Sequence, residues 1–212
     1  MTIRKLVILL LGIFAAGGLA LSSCTKNDDT TIVPVGTEYY MDDIFSVIPD
    51  SLRSKFFAAF GDVPTGEIAI PPKIEGSYVV DPKQRVATNM TLPWNLETVE
   101  PNVYLRFTKQ HNGIFMMDFN ESTETVTDTV FVQGEDQNFV VYVIEHKDYE
   151  MGSMKRGVIM KGKMTAEGIS DFRYATIVME TEDYSNGQYG LYPKGTFFIY
   201  KDGDGLAKNL DW

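Results

Sequence analysis

From Ile74 onward, apolar and polar residues alternate in short runs broken by turn residues. Val103, Leu105 and Phe107 alternate with Tyr104, Arg106 and Thr108, the period-2 signature of a strand with one buried face. Ile74, Gly76, Tyr78 and Val80 open the series, and residues 114–119 return from the hairpin signal His111-Asn112-Gly113. Val126, Val130 and Val132 share one face of the next strand, opposite Thr127, Thr129 and Phe131. A turn over 134–138 leads into the apolar run 139–144. Segments 157–164 and 172–180 flank the turn Ala166-Glu167-Gly168, and a long loop precedes 196–201. About eight strands with short connections predict a mainly β fold, an antiparallel meander. Closure into a barrel would remove its exposed edges, and a β-sandwich is the alternative. Several strands are apolar on both faces: Phe197 and Ile199 oppose Phe198 and Tyr200, and Phe115, Met117 and Phe119 oppose Ile114 and Met116. Such strands need two partners, one inside the barrel and one outside it.

A helical pattern precedes the strands. Asp42 and Asp43 can cap a turn through Ile44, Phe45, Val47 and Ile48, which Pro49 breaks. Asp50 and Ser51 then offer a cap to 52–60, where Leu52, Phe56, Phe57 and Phe60 form one apolar face and Gly61 is the stop. This amphipathic N-terminal helix, 42–60, is expected to pack on the domain as a cover. Segment 63–73 contains Pro64, Gly66, Pro71 and Pro72 and reads as a linker or extended edge.

The first 23 residues follow different rules. Arg4 and Lys5 precede an uncharged apolar run from Leu6, which thins into Ala15, Ala16, Gly17 and Gly18. A basic start, short apolar centre and small residues define a secretory signal peptide, 1–23, too short for the ~20 apolar residues of a membrane-spanning helix. Cys24, the one cysteine of the chain, follows directly. Leu21-Ser22-Ser23-Cys24 resembles the lipobox of bacterial lipoproteins. In that family the cysteine sulfur is lipidated, the chain is cut before it and the new N-terminus is acylated. Lys26-Asn27-Asp28-Asp29 resembles the signal that sends lipoproteins of the Bacteroides group to the outer face of the outer membrane. The resemblance implies a surface protein held in outer-membrane lipid through acylated Cys24, with 24–38 as a flexible tether and 39–212 as a single domain.

A second resemblance lies in Ile74-Glu75-Gly76-Ser77-Tyr78, between Pro71-Pro72 and Asp81-Pro82. It is similar to the opening strand of calycin-like lipoproteins of the same bacterial group. Lipocalins carry Gly-x-Trp here, the tryptophan closing the barrel floor; Tyr78 stands at that position, and the later lipocalin motifs are missing. The resemblance implies a calycin-like barrel and no particular ligand.

Charge narrows the partners. The chain carries 19 Lys and Arg against 29 Asp and Glu, and loss of Arg4 and Lys5 with the signal takes the formal net charge from −10 to −12. That argues against nucleic acid and anionic surfaces. With Cys24 lipidated there is no thiol for a disulfide, a metal or nucleophilic attack. His111 and His146 stand apart in sequence and read as turn and surface residues. Asp202-Gly203-Asp204-Gly205 lacks the further acids of a calcium loop and reads as a polar turn. No phosphate loop, nucleophile elbow or His-Glu-x-x-His occurs, so neither a metal nor a cofactor is expected. The carboxylates Glu121, Glu124, Asp128, Glu135 and Asp136 read as solvated, although a pair of them would be needed for glycosidase-type hydrolysis. Asp28-Asp29-Thr30-Thr31, Asp50-Ser51-Leu52 and Asp128-Thr129-Val130 resemble the O-glycosylation sequon of Bacteroides secreted proteins.

The remaining candidates are aromatic. Tyr184, Tyr189 and Tyr192 share a loop with Asn186 and Gln188, and Trp94 lies near Asn89 and Asn95. Rings and amides at a barrel mouth suit a sugar or another small ligand; loop residues folded onto the domain are the plainer explanation. The leading expectation is a non-enzymatic, lipid-anchored envelope protein binding a small apolar or glycan-like ligand through Trp94, Tyr184, Tyr189 and Tyr192. An accessory module docking another envelope protein, and a hydrolase using loop carboxylates, are the alternatives.

Overall fold

A computed structural model describes residues 37–63, 71–91, 99–111, 114–121, 124–150, 152–183 and 191–211, all within one compact unit. Two helices, α1 (Thr37–Ser46) and α2 (Asp50–Phe60), precede eleven strand segments. These are β1 (Gly76–Val80), β2 (Lys83–Thr88), β3 (Val99–Glu100), β4 (Val103–His111), β5 (Ile114–Glu121), β6 (Glu124–Glu135), β7 (Asn138–Tyr149), β8 (Gly152–Met164), β9 (Gly168–Asp183), β10 (Phe197–Asp202) and β11 (Leu206–Asn209).

Three pairs of segments are single strands with a break. β1 and β2 part at Asp81-Pro82, β3 and β4 at Pro101-Asn102, and β10 and β11 at the turn 203–205. The register proves the continuity. Gly76 pairs with Phe107 and Lys83 with Glu100, so one ladder runs through both breaks. β9 likewise pairs with β10 through Ile177–Phe197 and with β11 through Ser170–Leu206. Counted this way, eight antiparallel strands follow one another, and the last returns to the first through Tyr78–Asn209 and Lys83–Asp202. The result is a nearly closed barrel. Its loosest seam lies between β6 and β7, whose ladder covers only residues 131–135 and 138–142.

The two-sided strands have two cores. An inner cluster fills the barrel with Tyr78, Leu105, Phe107, Met117, Phe139, Val141, Val158, Phe172, Phe198 and Tyr200. An outer cluster joins Ile44, Ile48, Phe56 and Phe60 of the helices to Tyr142, Ile159, Ile177, Phe197 and Ile199. Successive strand side chains point to opposite faces, so Phe197 and Ile199 meet the helices while Phe198 and Tyr200 enter the barrel. Phe56 is the hub of the outer layer, with ring centroids of Phe45, Phe57, Phe60 and Phe197 all 5.3–5.8 Å away.

Several boundaries differ from those read in the sequence. α1 begins at Thr37, inside the expected tether and before the expected cap at Asp42. Pro49 occupies the N-cap of α2 with no side-chain bond; Asp50 is already helical and pairs with Arg53 at 3.2 Å. Proline's fixed φ suits entry to a helix, which makes a side-chain cap dispensable. Gly61 ends α2 as expected, at φ 84° with its N–H donating to the Phe57 carbonyl. The β6–β7 turn shrinks to Asp136 and Gln137, because Gly134 and Glu135 stay in the ladder. β2, β3 and β11 are additional to the expected strands.

Candidate functional site at the barrel mouth

Near Gly76 the barrel interior is apolar and filled by Tyr78 and Phe107. Gly76, at φ 153°, leaves space that a Cβ would fill, 2.8 Å from the Tyr78 hydroxyl. The Tyr78 ring therefore folds inward, its hydroxyl donating to the Ile74 carbonyl at 3.1 Å and its ring 5.9 Å from that of Phe107. Burial pushes the Tyr78 phenol up to about 12. A tyrosine with its own internal acceptor thus fills this part of the inner cluster.

Elsewhere the interior changes character. Inward positions there carry charge: Lys83 and Arg85 on β2, Glu100 on β3, Glu145 on β7 and Arg156 on β8. The ladders set their partners. Lys83 faces Glu100 across β2–β3, and Glu145 faces Arg156 across β7–β8. Lys83 Nζ lies 3.0 Å and Arg85 Nη2 2.7 Å from the two oxygens of Glu100. Arg156 Nη2 lies 2.5 Å from Glu145 Oε2, and both side chains are largely buried. Glu145 Oε1 is buried with no hydrogen-bond partner. Burying such groups costs desolvation that only close pairing offsets, so this cluster is expensive for a structure with no use for it.

Between these pairs lies a cavity of about 300 Å³. Its apolar wall comprises Tyr149, Met154, Val178, Tyr192, Phe198 and Tyr200, and its polar wall Arg85, Glu100, Arg156 and Thr176. Tyr200 is fixed from both sides, stacked on Tyr174 at 4.7 Å and covered by Lys83 Nζ at 4.9 Å.

Of the residues expected to bind ligand, Tyr192 is at this mouth, its exposed ring packed edge-on against Phe198 at 5.0 Å. Trp94, Tyr184, Tyr189 and the lipidation candidate Cys24 lie outside the described residues. The sequence reading missed the charged cluster. Its signal was present in Lys83-Gln84-Arg85 and in Glu145 at the end of an apolar run, yet charged strand residues ordinarily face solvent.

The other candidates resolve plainly. His111 is exposed at the end of β4 rather than in the turn, and His146 is exposed within β7, 3.5 Å from Asp148. No group of three metal-ligating residues occurs among the described residues. The 202–205 segment is a turn knotted by Asp202, which accepts from the backbone of Asp81, Asp204 and Leu206. Burial pushes Asp202 up to about 6, while hydrogen bonds from Asp202 and Lys208 hold Asp204 down at about 2. Glu135 and Asp136 are exposed, and the side chains of Glu121, Glu124 and Asp128 lie outside the described residues. No family model, curated protein or solved structure matches this chain.

Proposed function

We propose that this protein is a lipid-anchored barrel of the cell envelope that binds a small ligand non-covalently at its mouth. The cavity carries this reading: about 300 Å³, one wall aromatic and the other charged. That volume lies at the low end of ligand pockets, roughly 300–1,000 Å³, and suits a ring rather than a long acyl chain. The barrel below is filled by packed side chains, which also disfavours a chain-like ligand. Of the two ligand kinds expected from sequence, the mixed wall favours the glycan-like one over the purely apolar one. Glu100 and Glu145 each hold a cation within 3.0 Å, an arrangement suited to orienting a ligand rather than to shuttling protons. Tyr104 and Tyr192 are the exposed large hydrophobics among the described residues, too few for a docking patch. Acylated Cys24 would keep this mouth at the outer-membrane surface, where small solutes arrive from outside.

The test is native mass spectrometry of the full-length protein, extracted in mild detergent from the membranes of its own host. A small molecule should travel with the wild type and be lost from a Tyr192→Ala variant. The bare chain mass in every preparation counts against binding.

A further inference from the structure

We infer that the mouth cavity recognises a small ring-bearing carboxylate, gripped by Arg85 and Arg156 with its ring against the tyrosines. This rests on the binding reading above and names its ligand class. Two guanidinium groups reach one small cavity from different strands, β2 and β8. A guanidinium is a planar fork of five N–H donors that matches the two oxygens of a carboxylate, and in each arginine Nη2 is already engaged with a glutamate. Their side chains are only 7% and 14% exposed, so attraction to an anion acts in a medium less polarisable than water and resists salt screening. Composition does not explain them, since the chain as a whole is strongly acidic. Glu100 and Glu145 hold the guanidiniums in place before any ligand arrives, which lowers the ordering cost of binding.

The body of the ligand follows from the opposite wall. Tyr149, Tyr192, Phe198 and Tyr200 present rings to a cavity of monocyclic size. A sugar acid and an aromatic acid share the required chemistry, a carboxylate on one ring. Glu100 and Thr176 separate them. Both line the cavity and can accept a hydrogen bond from a ligand hydroxyl. A sugar acid supplies that hydroxyl and benzoate does not.

The experiment is calorimetric titration of the full-length detergent-solubilised protein with D-glucuronate, benzoate, glucose and benzyl alcohol. Each acid should bind at least about tenfold tighter than its neutral counterpart, the scale of one charge-assisted hydrogen bond, and glucuronate should exceed benzoate. Arg156→Met alone would strand a buried carboxylate, so the informative variant is the pair Glu145→Gln with Arg156→Met, whose folding is checked by its urea curve. It should lose about tenfold or more for both acids and keep its weak affinity for the neutral compounds. Tyr192→Ala should weaken acids and neutrals together. Equal binding of acids and neutrals would overturn the carboxylate assignment and leave the binding reading standing. So would a silent titration series when native mass spectrometry still detects a bound molecule. A silent series with a bare chain mass would sink both. Benzoate binding as tightly as glucuronate would overturn the role given to Glu100 and Thr176 and leave an aromatic acid as the ligand.

Discussion

Single residues here carry charge where a barrel usually carries hydrocarbon. Arg156 and Glu145 illustrate the cost. Removing one member of a buried pair leaves the other uncompensated, and Arg156→Met should cost about 3–5 kcal/mol in urea unfolding. Adding Glu145→Gln should restore most of that loss; a double variant no more stable than the single one would mean that the pair is not coupled. Asp202 supplies a pH signature. Its folded value, about 6, lies above the ordinary 3.8, so the folded state binds its proton more tightly than the unfolded state does. The stability it contributes is fully present below about 3.8 and is lost as pH rises through about 6. Asp204 acts in the opposite sense: held at about 2, its contribution is present above 3.8 and is lost as pH falls through 2. Stability should therefore rise on acidification from pH 7 toward the mid-4s, with a slope from Asp202 of at most about 1.4 kcal/mol per pH unit. Asp202→Asn should flatten that slope in melts at both pH values. An unchanged slope would remove Asp202 as its cause.

At the scale of elements, legibility followed dryness. Residues 103–108 were readable because one face is buried and the other wet, so burial alternates as hydropathy does. The double apolar faces of residues 197–200 were readable too, and they called for an outer cover that α1 and α2 provide. β2 was illegible because its pattern is inverted: Lys83 and Arg85 are buried while Val86 packs outward under the helices. The mouth cluster is thus invisible to hydropathy for the same physical reason that makes it a site. β3 is only two residues long and owes its existence to its partner Lys83-Gln84. The start of α1 was missed although Met41, Ile44, Phe45 and Ile48 keep helical spacing, because Asp42 and Asp43 look like a cap. Ile44 also shows how closely the helix layer is keyed to the barrel. A Cβ on Gly157 of β8 would stand 2.6–3.1 Å from three Ile44 carbons, so only glycine admits this knob. Gly157→Ala should lift α1 from β7 and β8, costing about 1–3 kcal/mol as overpacking does. Hydrogen exchange should then quicken in α1 while the inner strands keep their protection. Ile44→Ala in the same chain should relieve much of the loss. Uniform loosening of the whole barrel would contradict this division of labour.

For the whole molecule, the meander and its covering helix were readable, and the anchor rests on sequence alone. The barrel explains why a single cysteine suffices. With the inner and outer clusters both packed by long-range strand pairing, the domain needs no disulfide, which leaves its one thiol for the proposed lipid anchor. Each acyl methylene buried in a bilayer is worth about 0.8 kcal/mol; one chain binds marginally, and stable anchoring takes two or more. On the proposed anchor, Cys24→Ser should remove every acyl chain at once, because the lipobox resemblance makes that cysteine the point of lipidation. Fractionated cells should then show the variant lost from the washed membrane pellet as mature protein, with no labelled palmitate incorporated. The domain itself should be indifferent, since among the described residues nothing packed in either cluster lies upstream of Met41, and its urea midpoint should match that of the wild type. Continued palmitate incorporation by the serine variant would refute the anchor outright. A shifted midpoint would show instead that the N-terminal segment contributes to the fold, and residues 24–36 would have to be counted with the barrel rather than as its leash.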